Sequence, residues 1–373
     1  MKHQWAFVSI LLSALLAVVP NASASSIWYA NGISGSDNNN CKSPQTACKT
    51  IGHAISLASS GDSIKIAPAV YKENLTINIS LTIIGSGART TTIDGGGVNT
   101  VVTINNFNSN THVTLSGLTI EDGSEGGIRA TGVVTINNSS IRGNTANPGI
   151  SGEAAGAGIY NDEGTLVINN STISGNTAHG GTICEKLCTG SAQGAGVYNH
   201  SATKQASLTL TNSTVSGNAA ISGKLPSSGG AIGGNGSVSI NNSTISANSA
   251  VSAGGISGTA TIQNTVVANN SGRNCVGTFT SKGYNLSSDD TCNFTGPGDM
   301  NNTDPMLGPL QNNGGPTQTM ALLPGSLAID AGNPSGCTDG KGHLLTTDQR
   351  GQPRPDKEDS GGCDIGAYER QSD

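Results

Sequence analysis

The central part of the chain repeats one short pattern of alternating apolar and polar residues. In the string Leu166–Asn176, for example, Leu166 and Ile168 are spaced two apart, and Asn170 follows at the same interval. An apolar residue at every second position is the period of a β-strand with one buried face, and it excludes a helix. Equivalent strings occur at 133–144, 166–176, 208–218, 238–248 and, more loosely, 260–270.

Each string follows a second short apolar element, so that one unit holds two or three strands. The asparagine shared by the units, at positions 138, 170, 212, 242 and 264, recurs after 32, 42, 30 and 22 residues. A unit of 22 residues is long enough for one coil of a solenoid and too short for a four-stranded propeller blade. A single coil cannot bury its inward side chains, so the coils must stack on one another. The sequence therefore predicts an all-β fold, a parallel β-helix.

Stacked coils place equivalent residues above one another in rows. Two internal aliphatic rows are predicted, namely Ile136, Ile168, Leu210, Ile240 and Ile262, and Ile141, Ile173, Val215, Ile245 and Val267. Two asparagine ladders are predicted at bends, namely Asn138, Asn170, Asn212, Asn242 and Asn264, and Asn144, Asn176, Asn218, Asn248 and Asn270. Asparagine tolerates the left-handed backbone of a tight bend, and its amide can bond the neighbours above and below. These asparagines therefore have a structural explanation that needs no catalysis.

The start of the chain has the pattern of a signal peptide over residues 1–24. Lys2 precedes an apolar run over residues 6–19, and the small residues Ala22 and Ala24 follow, so we expect cleavage after Ala24. An uncleaved membrane anchor is the alternative, but the run is shorter than the about 20 residues of a spanning helix. We expect a secreted or cell-surface protein with no transmembrane segment in the mature chain.

Eight cysteines follow the signal peptide, an even number that favours disulfides in an oxidising compartment. We expect near neighbours to pair: Cys41 with Cys48, Cys184 with Cys188, Cys275 with Cys292, and Cys337 with Cys363. Zinc is the competing interpretation, but the Cys184-x3-Cys188 pair lacks a second pair at a matching spacing. We therefore predict disulfides and no metal site among the cysteines.

Solenoid ends expose apolar surface and unpaired strand edges that need a cover. Ile51, Ala54, Ile55 and Ala58 lie on one face of a short predicted helix, and a strand follows Gly61–Asp62. We predict that residues 25–61 form an N-terminal cap with this capping helix and that residues 62–300 form the coils.

The amino-acid composition indicates which classes of partner the protein does not bind. The formal net charge is −6, charged residues make up 11% and aromatic residues 3%. A sequence with a net negative charge and so few charged residues does not have the excess of basic residues that is typical of a nucleic-acid-binding protein. We therefore expect no nucleic-acid partner.

Two stretches of the chain resemble known groups. Residues 61–85, with Gly61-Asp62-Ser63-Ile64 and Leu81-Thr82-Ile83-Ile84-Gly85, resemble the opening coils of bacterial right-handed parallel β-helix proteins of the pectin-lyase-like superfamily. Residues 304–369, including Asn312-Asn313-Gly314-Gly315-Pro316-Thr317 and Asp364-Ile365-Gly366-Ala367-Tyr368-Glu369, resemble the choice-of-anchor Q domain.

The resemblances imply a secreted or surface-displayed bacterial protein with no general enzymatic activity. They also imply that residues 301–373 form a choice-of-anchor Q-like segment that closes the solenoid. Only four residues follow Glu369, without an apolar tail. We therefore expect free secretion or non-covalent retention rather than attachment to a cell wall.

Candidate chemistry clusters on one outward face of the coils. Aligning the Gly-Ile strands places Arg129, Tyr160 and Tyr198 in one outward row, with Asp162, Glu163 and His200 beside them. A sugar could stack on Tyr160 and Tyr198 while Asp162, Glu163 and His200 handle protons, as a polysaccharide lyase or glycoside hydrolase requires. The alternative is an outward tyrosine ladder with solvated charges, because cross-strand aromatic pairs stabilise sheets by themselves.

A second group of charges lies near the end of the chain, namely Asp330, Asp348, Arg350, Asp364 and Glu369. These residues could bind Ca²⁺ or form an ion-pair network, and the spacing favours the network because it lacks the dense carboxylates of a calcium loop. We predict no cofactor, with Ca²⁺ as the weaker alternative.

Two functions follow from these patterns. The favoured one is a monomeric, non-catalytic scaffold, adhesin-like or glycan-contacting module, whose partner is an extracellular polysaccharide or a cell-surface component. The alternative is a polysaccharide lyase or glycoside hydrolase that uses Arg129, Asp162, Glu163 and His200.

Overall fold

The fold is described from a computed structural model, which describes residues 25–105, 111–147, 152–181, 190–222, 225–357 and 362–371. The predicted signal peptide and the predicted Cys184–Cys188 pair lie outside the described residues. Among the described residues, no helix is both long enough and apolar enough to span a lipid bilayer.

The regular elements are almost all short strands. The N-terminal elements are β1 (Ile27–Ala30), a 3-10 turn (Pro44–Thr46), α1 (Ile51–Leu57), β2 (Asp62–Ile66), β3 (Ala69–Lys72), β4 (Leu75–Ile77), β5 (Leu81–Gly85), β6 (Thr91–Asp94), β7 (Val102–Ile104), β8 (His112–Ser116) and β9 (Thr119–Glu121). The central elements are β10 (Ile128–Ala130), β11 (Val133–Asn137), β12 (Ser140–Arg142), β13 (Thr145–Ala146), β14 (Ala154–Ala155), β15 (Ile159–Asp162), β16 (Thr165–Asn169), β17 (Thr172–Ser174), β18 (Thr177–His179), β19 (Ala192–Gln193), β20 (Val197–His200), β21 (Ser207–Thr211), β22 (Thr214–Ser216) and β23 (Ala219–Ile221). The C-terminal elements are β24 (Ile232–Gly234), β25 (Ser237–Asn241), β26 (Thr244–Ser246), β27 (Ile256–Gln263), β28 (Val266–Ala268), β29 (Cys275–Ser281), β30 (Leu286–Ser287), β31 (Leu307–Gln311) and β32 (Thr319–Leu322).

The strands stack into three parallel faces, so that each coil contributes one strand to each face. The first face has the order β1-β2-β5-β8-β11-β16-β21-β25-β27-β29, the second β3-β6-β9-β12-β17-β22-β26-β28-β30, and the third β4-β7-β10-β15-β20-β24-β27. The first and third faces join because β27, with eight residues, pairs with β24 and with β25. The predicted parallel β-helix is confirmed.

The register of the strands places the predicted aliphatic rows inside the solenoid. Ile136 pairs with Ile168, Ile168 with Leu210, Leu210 with Ile240 and Ile240 with Ile262. All five side chains are fully buried, and the row that begins at Ile141 is paired and buried in the same way. Continuous burial of aliphatic side chains over successive coils is the main favourable contribution to such a fold.

One asparagine row forms a hydrogen-bonded ladder between the second and third faces. Each side-chain Nδ2 donates to the Oδ1 of the next coil: Asn144 to Asn176 at 3.0 Å, Asn176 to Asn218 at 2.9 Å, Asn218 to Asn248 at 2.9 Å, and Asn248 to Asn270 at 2.9 Å. Asn144, Asn176, Asn218 and Asn248 are buried. The ladder satisfies buried amides and carbonyls at a bend, where strand pairing is interrupted.

The other asparagine row differs from the predicted ladder. Asn138, Asn170, Asn212, Asn242 and Asn264 all adopt positive φ, between 47° and 53°. Among these residues, only Asn264 donates to a neighbour of the row, Asn242, at 2.9 Å, while Asn212 and Asn242 donate to Thr347 and Thr338. The left-handed turn directs these side chains outward, and the C-terminal segment contacts the last four residues of the row, Asn170, Asn212, Asn242 and Asn264.

The hydroxyl residue that follows this asparagine forms the ladder at the bend instead. The backbone N–H of Ser139 donates to Ser171 Oγ, that of Ser171 to Ser213 Oγ, and that of Ser213 to Ser243 Oγ, over 3.1 to 3.2 Å. All four serines are fully buried. A small hydroxyl fits inside this bend and bonds the backbone of the next coil, whereas an amide would require more room.

The predicted N-terminal cap contains the 3-10 turn, α1 and β1, which pairs with β2. Thr50 caps α1 by accepting from the His53 N–H at 3.1 Å, and the Glu73 carboxylate accepts from the Ile51 and Gly52 N–H groups at 2.9 and 2.8 Å. These contacts satisfy donors that a helix leaves free at its N-terminus. The Cys41–Cys48 disulfide lies in the same cap.

The C-terminal segment, residues 305–357 and 362–371, lies along the side of the solenoid, and we call it the strap. It contacts the Asn264 coil through Asn333, the Asn212 coil through Thr347 and the Asn170 coil through Thr317. Closure of the solenoid by residues 301–373 stays a prediction. Cys292 and Phe294 belong to the main apolar core. The strap covers the bend between the first and second faces, and its Leu322, Ala328 and Ile365 pack with Val266, Ala268 and Leu286 of the second face.

Buried ion pairs hold the strap together. Arg350 Nε lies 2.7 Å from Asp348 Oδ2, and Arg354 Nε lies 2.7 Å from Glu369 Oε2. Arg354 also donates to Asn212 Oδ1 at 2.9 Å, which joins this network to the solenoid. Disulfides pair Cys337 with Cys363 in the strap and Cys275 with Cys292 in the last coil.

Candidate functional site

A row of outward side chains on the third face forms the core of the candidate site. The register aligns Arg129 of β10 with Tyr160 of β15 and Tyr160 with Tyr198 of β20. The centroids of the two tyrosine rings lie 5.3 Å apart, and the Arg129 guanidinium carbon lies 4.7 Å from the Tyr160 ring centroid. Three successive coils thus present a cation and two aromatic rings in a line.

Asp162 connects the cation to a histidine at the edge of this row. Its Oδ2 lies 3.0 Å from Arg129 Nη2, and its Oδ1 lies 3.0 Å from His200 Nδ1. The His200 ring stacks on Tyr198 with an interplanar angle of 16° and a centroid distance of 6.0 Å. Asp162 and His200 are register partners, and they point to the same side as Tyr160 and Tyr198 because alternate strand residues share a face.

Insertions between the second and third faces form a wall beside this row. They contain the small sheets β13-β18-β23 and β14-β19, which bury a separate cluster of alanines including Ala154, Ala178 and Ala192. Methyl-sized side chains allow these sheets to pack closely against each other.

Two glycines let the chain pass close to the tyrosines. Gly156 has φ 63° and Gly194 has φ 52°, a conformation that side chains rarely adopt. A Cβ added at Gly156 would lie 2.9 Å from Tyr160 Cβ, and one at Gly194 would lie 2.9 Å from Tyr198 Cβ. The wall therefore stands directly beside the aromatic row.

The space between the wall and the row is a groove of about 690 Å³. Its lining residues are Thr100, Glu125, Arg129, Ala146, Asn147, Glu153, Ala154, Ala155, Tyr160, Tyr198 and His200. A volume of this size lies within the range of ligand-binding clefts, and aromatic rings with a few polar groups are a common lining of such clefts. The site is thus a groove rather than a flat ladder.

The two tyrosines remain protonated phenols at physiological pH. Burial, followed by the nearby Asp162 carboxylate, raises the pKa of Tyr160 to about 12. Burial, followed by the Glu153 carboxylate, raises the pKa of Tyr198. Each phenol can therefore donate a hydrogen bond to a ligand, while its ring offers an apolar face.

Glu163 does not join this group. It adopts a φ of 56° in the turn after β15, and its carboxylate accepts from the Thr203 N–H at 2.5 Å and from the Thr203 hydroxyl at 3.0 Å. The Thr203 backbone N–H is the main cause that lowers the pKa of Glu163. The turn interrupts strand alternation, and Glu163 thereby stabilises the 201–205 loop.

Two carboxylates of the groove, Glu125 and Glu153, are not among the candidate site residues that the sequence predicts. Glu125 belongs to a polar turn, and Glu153 precedes β14 in a loop of variable length. Glu153 Oε1 accepts from Ser191 Oγ at 2.5 Å and from Gln193 Nε2 at 2.9 Å. Strand alignment could not reveal either residue, because neither lies in a repeated strand.

The C-terminal carboxylates have protein partners. Asp348 and Glu369 pair with Arg350 and Arg354, and the Asp364 carboxylate accepts from the backbone N–H groups of Asp330 and Arg370 at 2.9 and 2.6 Å. Burial, followed by Glu369, raises the pKa of Asp364 to about 7. Asp348, Arg350 and Glu369 are thus members of ion pairs within the strap, while the Asp364 carboxylate is held by backbone N–H groups, one of them from Asp330. The preference for a network over a Ca²⁺ site stays a prediction.

Among the described residues, one group of three potential metal ligands comes together. Cys41, Cys48 and His53 have ligand atoms within 4.8 Å of one another. Both sulfur atoms are bonded in the Cys41–Cys48 disulfide. A disulfide sulfur is not the thiolate that a metal binds, so this group is not a candidate metal centre.

No family model and no curated protein matches the sequence. Among solved structures, the crystal structure of pectate lyase Pel9A is similar, with a TM-score of 0.42 and 15% sequence identity over 93% of this chain and 97% of that chain. Values this low carry no argument about chemistry.

Proposed function

We propose that the groove on the third face binds an extracellular oligosaccharide and that the protein is a non-catalytic glycan-binding module. The observation that carries this proposal is the line of Arg129, Tyr160 and Tyr198 on successive coils inside the groove. Sugar rings have apolar C–H faces that pack on aromatic rings, and their hydroxyl groups need polar partners.

The spacing of Tyr160 and Tyr198 on successive coils suits an extended chain of sugars. Successive coils lie about 4.8 Å apart, as hydrogen-bonded strands do, and the tyrosine centroids lie 5.3 Å apart. This spacing is similar to the length of one unit in an extended 1,4-linked glycan. Two neighbouring sugar units can therefore each contact one tyrosine.

The two carboxylates that the sequence singled out on this face, Asp162 and Glu163, are both engaged by protein groups, which favours binding over catalysis by these residues. Both oxygens of Asp162 have partners, Arg129 and His200, and Glu163 is bound to Thr203. A hydrolase needs one carboxylic acid and one free carboxylate on opposite sides of the scissile bond. The groove holds Asp162 in an ion pair, where it positions its neighbours.

The proposed setting is outside the cytoplasm. The disulfides Cys41–Cys48, Cys275–Cys292 and Cys337–Cys363 are typical of proteins exported to an oxidising compartment. With the signal-peptide pattern at residues 1–24, they support a secreted or surface-retained protein.

Isothermal titration of the secreted chain with a panel of hexasaccharides tests the binding proposal. We expect Tyr160→Ala and Tyr198→Ala each to weaken binding about tenfold or more, as truncation of an aromatic anchor does. Tyr160→Phe keeps the ring and should retain most of the affinity. Tyr29→Ala on the first face is the matched control, and it should bind like the unmodified protein.

Loss of binding with Tyr29→Ala as well would point to misfolding, which circular dichroism would detect. Absence of binding to every member of the panel would overturn the proposal. Equal affinity of the unmodified protein and the Tyr160→Ala/Tyr198→Ala double variant would also overturn it.

One observation favours a second candidate, a polysaccharide-cleaving enzyme. When His200 Nδ1 donates to Asp162, His200 Nε2 is the acceptor nitrogen of the ring, and His200 lines the groove. An oriented imidazole is a suitable general base. Chromatography of the incubated hexasaccharides tests this candidate: products that are lost with His200→Ala would establish an enzyme.

A further inference from the structure

We propose that the groove prefers glycans that carry a positive charge, that is, oligosaccharides of amino sugars with free ammonium groups, over neutral or uronic-acid glycans. This inference rests on the proposed function of the groove as a glycan-binding site. It names the chemical class of ligand that the charges and rings of the groove fit.

The first support is the balance of charge around the tyrosines. Three carboxylates, Glu125, Glu153 and Asp162, surround the tyrosines together with one guanidinium, Arg129, so that the charges of these four groups sum to 1 − 3 = −2. The Arg129 guanidinium is already paired with Asp162 at 3.0 Å. A uronate would have to compete for this cation and would face the two remaining carboxylates.

The second support is the placement of the two remaining carboxylates. Glu125 and Glu153 are exposed, and both line the groove with the tyrosines. Glu153 uses Oε1 to hold Ser191 and Gln193, an arrangement that fixes the side chain at the wall. A fixed carboxylate needs little further ordering when it binds an ammonium group.

The third support comes from the rings. The face of a tyrosine ring carries a negative potential that attracts cations. The Arg129 guanidinium already uses one face of Tyr160, 4.7 Å from the ring centroid, so Tyr198 is the ring that a ligand cation would approach. The negative charges of Asp162 and Glu153 both contribute to the raised pKa of Tyr160, after burial, and the charge of Glu153 contributes to the raised pKa of Tyr198. Rings and carboxylates therefore act on a cationic ligand in the same direction.

The test measures the affinity of the secreted chain for four hexasaccharides at low ionic strength. The probes are the hexamers of glucosamine, N-acetylglucosamine, glucose and galacturonate. We expect the glucosamine hexamer to bind about three- to tenfold more tightly than its acetylated counterpart, as expected for two partly solvated ion pairs. Added salt should reduce this difference, because it screens exposed charges.

The Glu125→Gln/Glu153→Gln variant tests how much the negative charges of these two carboxylates contribute to binding. It should bind glucosamine and N-acetylglucosamine hexamers with similar affinity, while its affinity for the glucose hexamer stays unchanged. The matched control is Glu121→Gln/Asp290→Asn, which removes two charges outside the groove and should keep the preference for glucosamine.

The outcomes separate this inference from the proposed function. Equal binding of all four hexamers, or tightest binding of galacturonate, would overturn the amino-sugar preference and leave glycan binding intact. A preference that the Glu125→Gln/Glu153→Gln variant retains in full would overturn the role assigned to these carboxylates. Absence of binding to all four would overturn both proposals.

Discussion

At the scale of single residues, buried amides decide whether the coils can bend. Asn218 is fully buried, and its Nδ2 donates to Ile173 O at 3.0 Å and to Asn248 Oδ1 at 2.9 Å. Its own Oδ1 accepts from the backbone and side chain of Asn176 at 3.1 and 2.9 Å. One side chain thus satisfies polar groups of three successive coils.

Replacing Asn218 by alanine should therefore cost about 2 to 4 kcal/mol of the free energy of unfolding. The substitution removes the acceptor of the buried Asn176 backbone N–H and one of the two acceptors of Asn176 Nδ2, and it removes the Nδ2 donor to Ile173 O. The measurement is urea unfolding of both proteins followed by circular dichroism. Asn38→Ala, at an exposed position of the cap, is the control and should change the free energy by less than about 0.5 kcal/mol.

The buried carboxyl of Asp364 makes stability depend on pH. Its pKa is raised to about 7, mainly by burial, whereas an unfolded chain gives a value of about 3.9. The folded state then binds more protons than the unfolded state between these values, so this contribution is complete below about pH 4 and is lost as the pH rises through 7.

The unmodified protein should accordingly lose about 2 to 3 kcal/mol of stability from this group between pH 5 and pH 8. Asp364→Asn cannot titrate, so its free energy of unfolding should have a correspondingly flatter pH dependence. Asp304 is exposed and directly precedes the strap. Asp304→Asn should therefore keep the pH dependence of the unmodified protein. An identical slope in Asp364→Asn and the unmodified protein would show that Asp364 is ionised throughout this interval.

At the scale of elements, the strap depends on a buried ion pair. The side chains of Arg354 and Glu369 are fully buried, and Arg354 also donates to Asn212 Oδ1 and Gly366 O. Removing one member of such a pair leaves an uncompensated charge, which typically costs 3–5 kcal/mol. The pair therefore decides whether the strap stays attached to the bend.

Arg354→Met should detach the strap, and limited proteolysis should then release a C-terminal fragment from a protected solenoid. The Arg354→Met/Glu369→Met double variant should be more resistant than Arg354→Met, because it buries no unpaired charge. The control is Arg142→Met, which removes a half-exposed pair with Glu121 and should cost at most about 1 kcal/mol. Equal protease sensitivity of the Arg354 and Arg142 variants would contradict this role of the pair.

At the scale of the whole molecule, each coil contacts mainly its two neighbours. Leu210 is fully buried and is the register partner of Ile168 on one side and Ile240 on the other. In a solenoid, stability is approximately the sum of coil terms and nearest-neighbour terms, so a local defect stays local.

Leu210→Ala should cost about 2 to 5 kcal/mol through lost burial and a cavity. Amide hydrogen exchange should speed up in β16, β21 and β25, while β2 and β5 keep their protection. Thr209→Ala, an outward position of the same strand, should leave exchange unchanged. Uniform loss of protection over all coils after Leu210→Ala would indicate a single cooperative unit instead.

The repeat by itself determined the β-helix, because a period of two within strands and a recurring coil leave stacking as the only way to bury Ile168 and its equivalents. The outward row of Arg129, Tyr160 and Tyr198, with Asp162 and His200, followed from the same alignment. Only the tertiary structure decided what lies beside this row. Glu125 and Glu153 lie in loops that are not paired in register with neighbouring coils, so strand alignment cannot place them in the groove. The strap contacts a bend that lies more than a hundred residues earlier in the sequence, and strand pairing cannot predict this contact either.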